Sequence, residues 1–208
     1  MPEETMGGMG AILEDELALA RRSVAMAQAM ILVEGESDRR ALEVLAVRLD
    51  RDLDAEGVVI VAIAGATNIA RFLAILPTSV GLCGLYDEAE GHILRSALEP
   101  SEPGLRMAEE ELAARGFFMC RRDLEEELIR SVGVAGVLEV IDRSGDIDSW
   151  RLFSDQPAQR DRPITARLRR FLGTKSGRKI EYAGLLAERL DLSRQSDSPL
   201  LRVLSHTR

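Results

Sequence analysis

Residues 29–46, AMILVEGESDRRALEVLA, decide the fold. The apolar run from Ala29 to Val33 stops at Glu34 and Gly35, and from Asp38 onward Leu42, Leu45, Ala46, Leu49 and Leu53 recur at helical spacing with charges between them. The stretch reads as strand, tight turn, amphipathic helix. It places one carboxylate where the strand stops and a second at the first turn of the helix that follows.

The same form recurs along the chain. Residues 57–68, GVVIVAIAGATN, are a β-branched run of the kind found in a strand covered on both faces. The run ends in Gly65, and Asn68 is expected to cap a helix, IARFLAIL, that Pro77 closes. VGLCGLYD (80–87) is again an apolar strand followed by an acid, and GFFMCRRDLEEELIRSVG (116–133) predicts a strand and then a helix from near Asp123 to Gly133. Four such alternations imply an α/β fold with a mainly parallel sheet of about four strands, flanked by helices on both faces. LEDELALARRSVAMA (13–27) predicts a lead-in helix within residues 1–28, ahead of a core at 29–143. After residue 143 the polar, turn-rich RSGDIDSWRLFSDQPAQRDRP precedes two amphipathic helices, ITARLRRFLG and KIEYAGLLAERL. Residues 144–208 therefore read as a helical segment packed back on the core, with SRQSDS near residue 195 as a surface loop.

Composition narrows the function. With 208 residues and 46% hydrophobic content, the chain can bury one good core. No apolar run approaches the roughly 18 uncharged residues that a membrane span needs. The N-terminal MPEETMGGMGAILEDE has acids where a signal peptide is basic, so no membrane association and a cytoplasmic location are expected. Cys83 and Cys120 sit in apolar runs without a CxxC pattern or a nearby histidine pair, which predicts buried free thiols. A net charge of -8 argues against gripping nucleic acid by bulk electrostatics. It is compatible with a nucleic-acid enzyme whose clustered carboxylates hold divalent cations. Against 25 arginines there are two lysines, Lys175 and Lys179, both in GTKSGRK (173–179); unlike arginine, lysine can give up a proton.

Ligands of open parallel sheets bind beyond the carboxyl ends of the strands. Glu34, Asp87 and Asp123 all fall there, each after a different strand, where their repulsion costs stability unless cations or basic groups offset it. Asp38 adds an oxygen donor one helical turn from Glu34. Taken singly, Asp38 and Asp123 suit helix N-caps and Glu34 suits a solvated turn. Taken together, oxygen-only donors without a His/Cys cluster suit Mg²⁺ or Mn²⁺ and not zinc.

ILVEGESDRRALEVL, followed by VVIVAIAGATNIARFL and VGLCGLYDEAEG, resembles the TOPRIM domain of topoisomerases, bacterial primases, small RNA-maturation nucleases and overcoming lysogenization defect (OLD) nucleases. EGESD, DLEEEL and the later SGRK are most similar to the OLD type, and the resemblance spans roughly residues 29 to 190. It implies a compact Rossmann-like TOPRIM sheet that works with Mg²⁺ on phosphodiester bonds. By position, Glu34 would be metal ligand or general acid/base, Asp38 the additional OLD-type acid, and Asp87 the first acid of a DxD pair. The second position of that pair is Ala89, giving DEAE; Glu90, one helical turn from Asp87, is better placed than Glu88 to supply the missing carboxylate. Asp123, Glu125 and Glu126 lie where the OLD type brings further acids toward metal, with Glu127 a weaker candidate. Lys179 matches the lysine that stabilises charge on the phosphate, with Lys175 and Arg178 as phosphate-binding neighbours. Tyr86, directly before Asp87 in its strand, is expected in the core and not as a covalent nucleophile.

The resemblance implies a Mg²⁺-dependent nuclease that acts on DNA by in-line hydrolysis. The alternative is a catalytically weak TOPRIM module that binds metal or nucleic acid and acts with a separate ATPase partner, a reading favoured by Ala89 and the acidic balance. Full-length OLD proteins carry an ABC-type ATPase ahead of this domain; GTKSGRK does not fit GxxxxGK[ST], so no ATPase activity is expected of this chain. One metal or two, DNA or RNA, endo- or exonuclease action, and oligomeric state stay open at the level of sequence.

Overall fold

The structure, a computed structural model, describes residues 3–99, 107–174, 177–193 and 197–208, with the backbone alone for 3–9. Its strands are β1 (Ala29–Val33), β2 (Val58–Ala62), β3 (Gly81–Asp87) and β4 (Phe117–Cys120). They form one all-parallel sheet in the order β2-β1-β3-β4. Before and between the strands come α1 (Glu3–Ser23), α2 (Glu36–Arg48), α3 (Ile69–Ile75), α4 (Gly91–Leu98) and α5 (Glu109–Ala114). After β4 come α6 (Leu124–Arg143), α7 (Ile147–Ser154), α8 (Pro157–Arg160), α9 (Ile164–Leu172), α10 (Arg178–Arg189) and α11 (Pro199–His206).

Strand order explains where a ligand can go. From β1 the chain moves to β2 on one side, then returns past β1 to β3 on the other, so the order reverses between β1 and β3. Register aligns the strand ends there: Leu32 lies beside Gly84, and Val33 beside Ala62. Gly84 is required for this fit, because a Cβ at that position would run into the Leu32 carbonyl oxygen.

Alternate side chains of β1 face opposite layers. Ile31 and Val33 join Leu42, Leu45, Leu128, Phe171, Leu186 and Leu204 on the face covered by α2, α6, α9, α10 and α11. Met30 and Leu32 join Val61, Phe72, Leu94 and Leu112 under α1, α3, α4 and α5. The continuous apolar run is thus a strand buried on both sides.

The later helices are tied to the first motif. Arg48, at the end of α2, donates to the carbonyls of Ala187 (2.6 Å) and Leu190 (2.8 Å) at the end of α10, where carbonyls run short of helical partners. Gly184 makes room for Arg40 to cross α10, since a Cβ there would lie 3.0 Å from the Arg40 Nε. These contacts hold the start of α10 over the carboxyl end of β1.

Several expectations need correction. Asn68 does not cap α3 with its side chain; its Nδ2 donates back to the carbonyls of Ile63 (3.0 Å) and Ala64 (2.8 Å), bracing the turn that follows β2. The helix after Asp123 is interrupted at Gly133, where its end is expected from the sequence, but the chain does not leave helical structure there. That glycine breaks it with φ 77° and ψ 154°, and helical backbone then resumes to Arg143. The polar stretch after residue 143 contains α7, whose Trp150 is buried against Phe171. Lys175 and residues 194–196 of SRQSDS lie outside the described residues. Cys83 and Cys120 are buried free thiols, and burial pushes the Cys83 thiol up to about 12. Among the described residues no helix is long and apolar enough to cross a membrane.

Candidate metal centre

The turn VEGES is built to present acids. β1 stops at Val33, Gly35 is the N-cap of α2, and the Gly35 N–H donates to Asp38 Oδ2 at 3.1 Å. Asp38 therefore closes the first turn, where a carboxylate is favoured by the helix dipole. On the neighbouring strand Asp87 ends β3, and a single 3-10 turn over Glu88–Glu90 leads into α4. That turn sends its two glutamates different ways. Glu88 Oε2 accepts from the Arg122 N–H at 3.2 Å, whereas Glu90 turns to the gap between β1 and β3.

There Glu34, Asp87 and Glu90 each offer a carboxylate oxygen, all within 4.8 Å of one another. Three oxygen donors this close, at the sheet's switch point, match the hard donor set that Mg²⁺ or Mn²⁺ prefers. Electrostatics gives the same answer. Burial first, then the charges of Glu34, Asp38, Asp123 and Glu90, push the Asp87 carboxyl up to about 8. Glu90 rises to about 7 through burial and then through the charge of Glu34 and a hydrogen-bonding contact with it. Asp38, 7% exposed, rises to about 7, chiefly by burial, even with Lys179 pulling the other way. Near neutral pH this cluster gains by trading protons for a divalent cation.

Among the described residues, Lys179 faces these acids from the helical layer. The second residue of α10, it makes an ion pair with Glu125 Oε1 at 3.3 Å. Burial pulls the Lys179 pKa down, but Glu125, Asp38 and Glu34 outweigh this, and the net shift is upward. The ammonium stays charged. Burial also raises the Glu125 carboxyl, with Lys179 opposing.

Two expected residues are otherwise engaged. Asp123 is the N-cap of α6: its Oδ1 accepts from the Glu126 N–H at 2.9 Å, and its Oδ2 pairs with Arg169 of α9. It contributes charge near Asp87 while both its oxygens serve local bonds. Arg178, expected beside the phosphate, is turned inward. Its guanidinium is buried, over the Phe171 ring at 4.1 Å and bonded to Thr174 Oγ1 (2.9 Å) and Asp146 Oδ1 (3.0 Å). Asp146 also accepts from the Tyr182 hydroxyl at 3.0 Å. Arg178, Asp146 and Tyr182 thus anchor the first turn of α10 and, through it, Lys179. Tyr86 is buried in β3, as expected of a core residue. Sequence reading missed Asp146 and Arg169, because neither has a local motif; their partners lie 32 or more residues away in the chain.

Comparison with known proteins bears on the fold. Residues 26–82 match the family described as overcoming lysogenization defect protein-like, TOPRIM domain. Among solved structures, the chain is similar to the C-terminal region of the Burkholderia pseudomallei OLD protein. That likeness has a TM-score of 0.63 at 20% identity and covers 87% of this chain and 97% of the other. The C-terminal region of the Xanthomonas campestris pv. campestris OLD protein gives 0.61 at 22% identity, with 89% and 94% covered. A search of curated proteins finds no match.

Proposed function

We propose that this chain, which carries an OLD-like TOPRIM domain, is a metal-dependent phosphodiester hydrolase acting on DNA, with Mg²⁺ as the cation and Mn²⁺ as a substitute. The observation that carries the reading is the convergence of the Glu34, Asp87 and Glu90 oxygens within 4.8 Å at the sheet's switch point. In this reading Asp87 and Glu90 hold the cation, with Asp38 and Glu125 lending charge and oxygen donors from α2 and α6. Bound there, the cation supplies Lewis-acid polarisation of a phosphoryl oxygen and a lowered pKa for the attacking water. Glu34, at the centre of the acids, orients that water or takes its proton. Lys179 leaves Glu125 to meet the charge that develops on the phosphoryl oxygens, a preorganised contribution worth roughly 10²–10³ in rate. Asp123, held by Arg169, positions α6 and adds negative potential.

Ala89 supports a second reading, in which the chain binds metal or nucleic acid weakly and acts with a separate ATPase partner. Its side chain is a methyl group where the TOPRIM pattern has a second aspartate, so the carboxylate that joins Asp87 must come from Glu90. Incubating the purified protein with supercoiled plasmid, Mg²⁺ or Mn²⁺, beside Glu34→Gln, separates the readings. Cleavage that disappears in the variant supports the hydrolase; an intact plasmid with both metals, from a folded protein, supports the partner-dependent module.

A further inference from the structure

The chain's charge is unevenly spread. Residues 157–179, PAQRDRPITARLRRFLGTKSGRK, hold eight basic residues and one acid, although the chain as a whole is at -8. Much of this charge lies on or beside α9. Its Leu168, Phe171 and Leu172 are buried in the core, which turns the opposite face outward. Arg162, just before the helix, and Arg170 are exposed, and Arg169 lies between α9 and the acids through its ion pair with Asp123. Arg162 keeps its place by donating from Nε to the Ala158 carbonyl at 3.0 Å, leaving its terminal nitrogens free to meet solvent or ligand.

We infer that α9 is a phosphate rail: duplex nucleic acid lies along Arg162, Arg169 and Arg170 by backbone contacts alone and so delivers one phosphodiester to the acids at the ends of β1 and β3. This rests on the hydrolase reading for what happens to that phosphodiester, though not for the binding itself. From Ile164 to Arg170 the helix rises roughly 9 Å, about three phosphate steps along one strand, and Arg162 lies just ahead of its N-terminus. The acids alone would repel a polyanion. A local positive face beside them is what allows an acidic protein to dock DNA in one orientation. The occupant is a duplex because the means to stack the bases of a single strand are missing. The chain's one Trp, two Tyr and five Phe are all buried or, for Phe153, partly buried, so no aromatic is presented for the stacking that holds single strands. Binding is therefore indifferent to sequence and steeply dependent on salt.

The test measures fluorescence anisotropy of two unrelated 20-base-pair duplexes, and of one single strand, with the full chain carrying Glu34→Gln in Mg²⁺. It compares that protein with one that also carries Arg162→Ala and Arg170→Ala, neither of which touches the acids. Alongside, hydrolysis of bis(p-nitrophenyl) phosphate, a diester too small to reach the rail, is followed with and without the two arginine changes in the chain with Glu34 intact. Loss of the arginines is expected to weaken both duplexes equally, on the order of tenfold or more, and to flatten the log–log salt slope by about 2. Small-diester hydrolysis and melting temperature should be unchanged. Unchanged affinity and slope, no duplex binding by the parent, or tighter binding of the single strand each overturn the rail. If the small diester is never hydrolysed but duplex binding is lost with the arginines, the hydrolase reading fails and the rail stands.

Discussion

Position 89 shows how one missing carboxylate can be replaced by turn geometry. The 3-10 turn leaves Ala89 exposed and carries Glu90 onto Glu34 and Asp87, while Glu88 is committed to the Arg122 N–H. Glu90→Gln is therefore expected to weaken Mg²⁺ binding by roughly tenfold or more, measured by calorimetric titration, whereas Glu88→Gln should leave affinity unchanged. Equal effects of the two would remove Glu90 from the ligand set. The adjacent cations Arg178 and Lys179 divide their labour in the same way. Lys179 faces the acids across 3.3 Å to Glu125, and Arg178 is locked on Asp146. Lys179→Met should lose roughly 10²–10³ in cleavage rate with stability nearly intact. Arg178→Ala should cost about 2 kcal/mol in urea unfolding, the worth of its charged hydrogen bonds, and slow cleavage only as far as α10 loosens.

At the level of elements, the strands and the helices around the acids were legible because each is a local pattern: an apolar run, a carboxylate, then a 3.6-residue period. β1, β2 and β4, and β3 up to its closing Asp87, are apolar runs of the kind a strand covered on both faces requires. Less legible were features decided by distant contacts. α7 looks like a turn-rich loop until its Trp150 meets Phe171, and the Asn68 side chain chose the β2 turn over the helix it precedes. The Asp123 carboxylate could equally have served a metal or a cap, and only the arrival of Arg169 from α9 shows that its oxygens are engaged. α11 gave no chemical signal, yet it packs across β3 and β4 on the face it shares with α2. Gly116, at φ 86° just before β4, leaves room for α11: a Cβ there would lie 2.6 Å from the His206 Nε2 and 2.8 Å from the Cys83 Cβ. Gly116→Ala combines backbone strain with overpacking and should destabilise by about 1–3 kcal/mol. The urea midpoint reads this directly, and an unchanged midpoint would mean that α11 can move away from β4 without cost.

Across the whole molecule, the fold gathers negative charge at one end of its sheet and holds it there with buried side chains, so stability and cation binding must be linked. Asp87, Asp38 and Glu90 have carboxyls raised to about 8, 7 and 7, mainly by burial and then by one another's charge. A carboxyl with a raised folded-state pKa favours folding while protonated. Its contribution is complete below the unfolded value, near 4, and is lost as pH rises through the folded value. The metal-free protein should therefore melt at a progressively lower temperature between pH 5.5 and 8.5, by about 2–4 °C for each kcal/mol lost. Mg²⁺ binds the ionised carboxylates, so its stabilisation runs in the opposite direction: small at pH 5.5, where protons compete, and largest at pH 8.5. Calorimetric melting at both pH values, with EDTA and with millimolar Mg²⁺, tests both halves. A melting temperature that climbs with pH in EDTA would mean that the acids are not strained by their own charge. A Mg²⁺ increment of equal size at both pH values would place the cation somewhere other than among Glu34, Asp87 and Glu90. Glu90→Gln removes one of the repelling charges, and so should flatten the fall in EDTA and shrink the Mg²⁺ increment together, because Asp87 and Glu90 contribute to both.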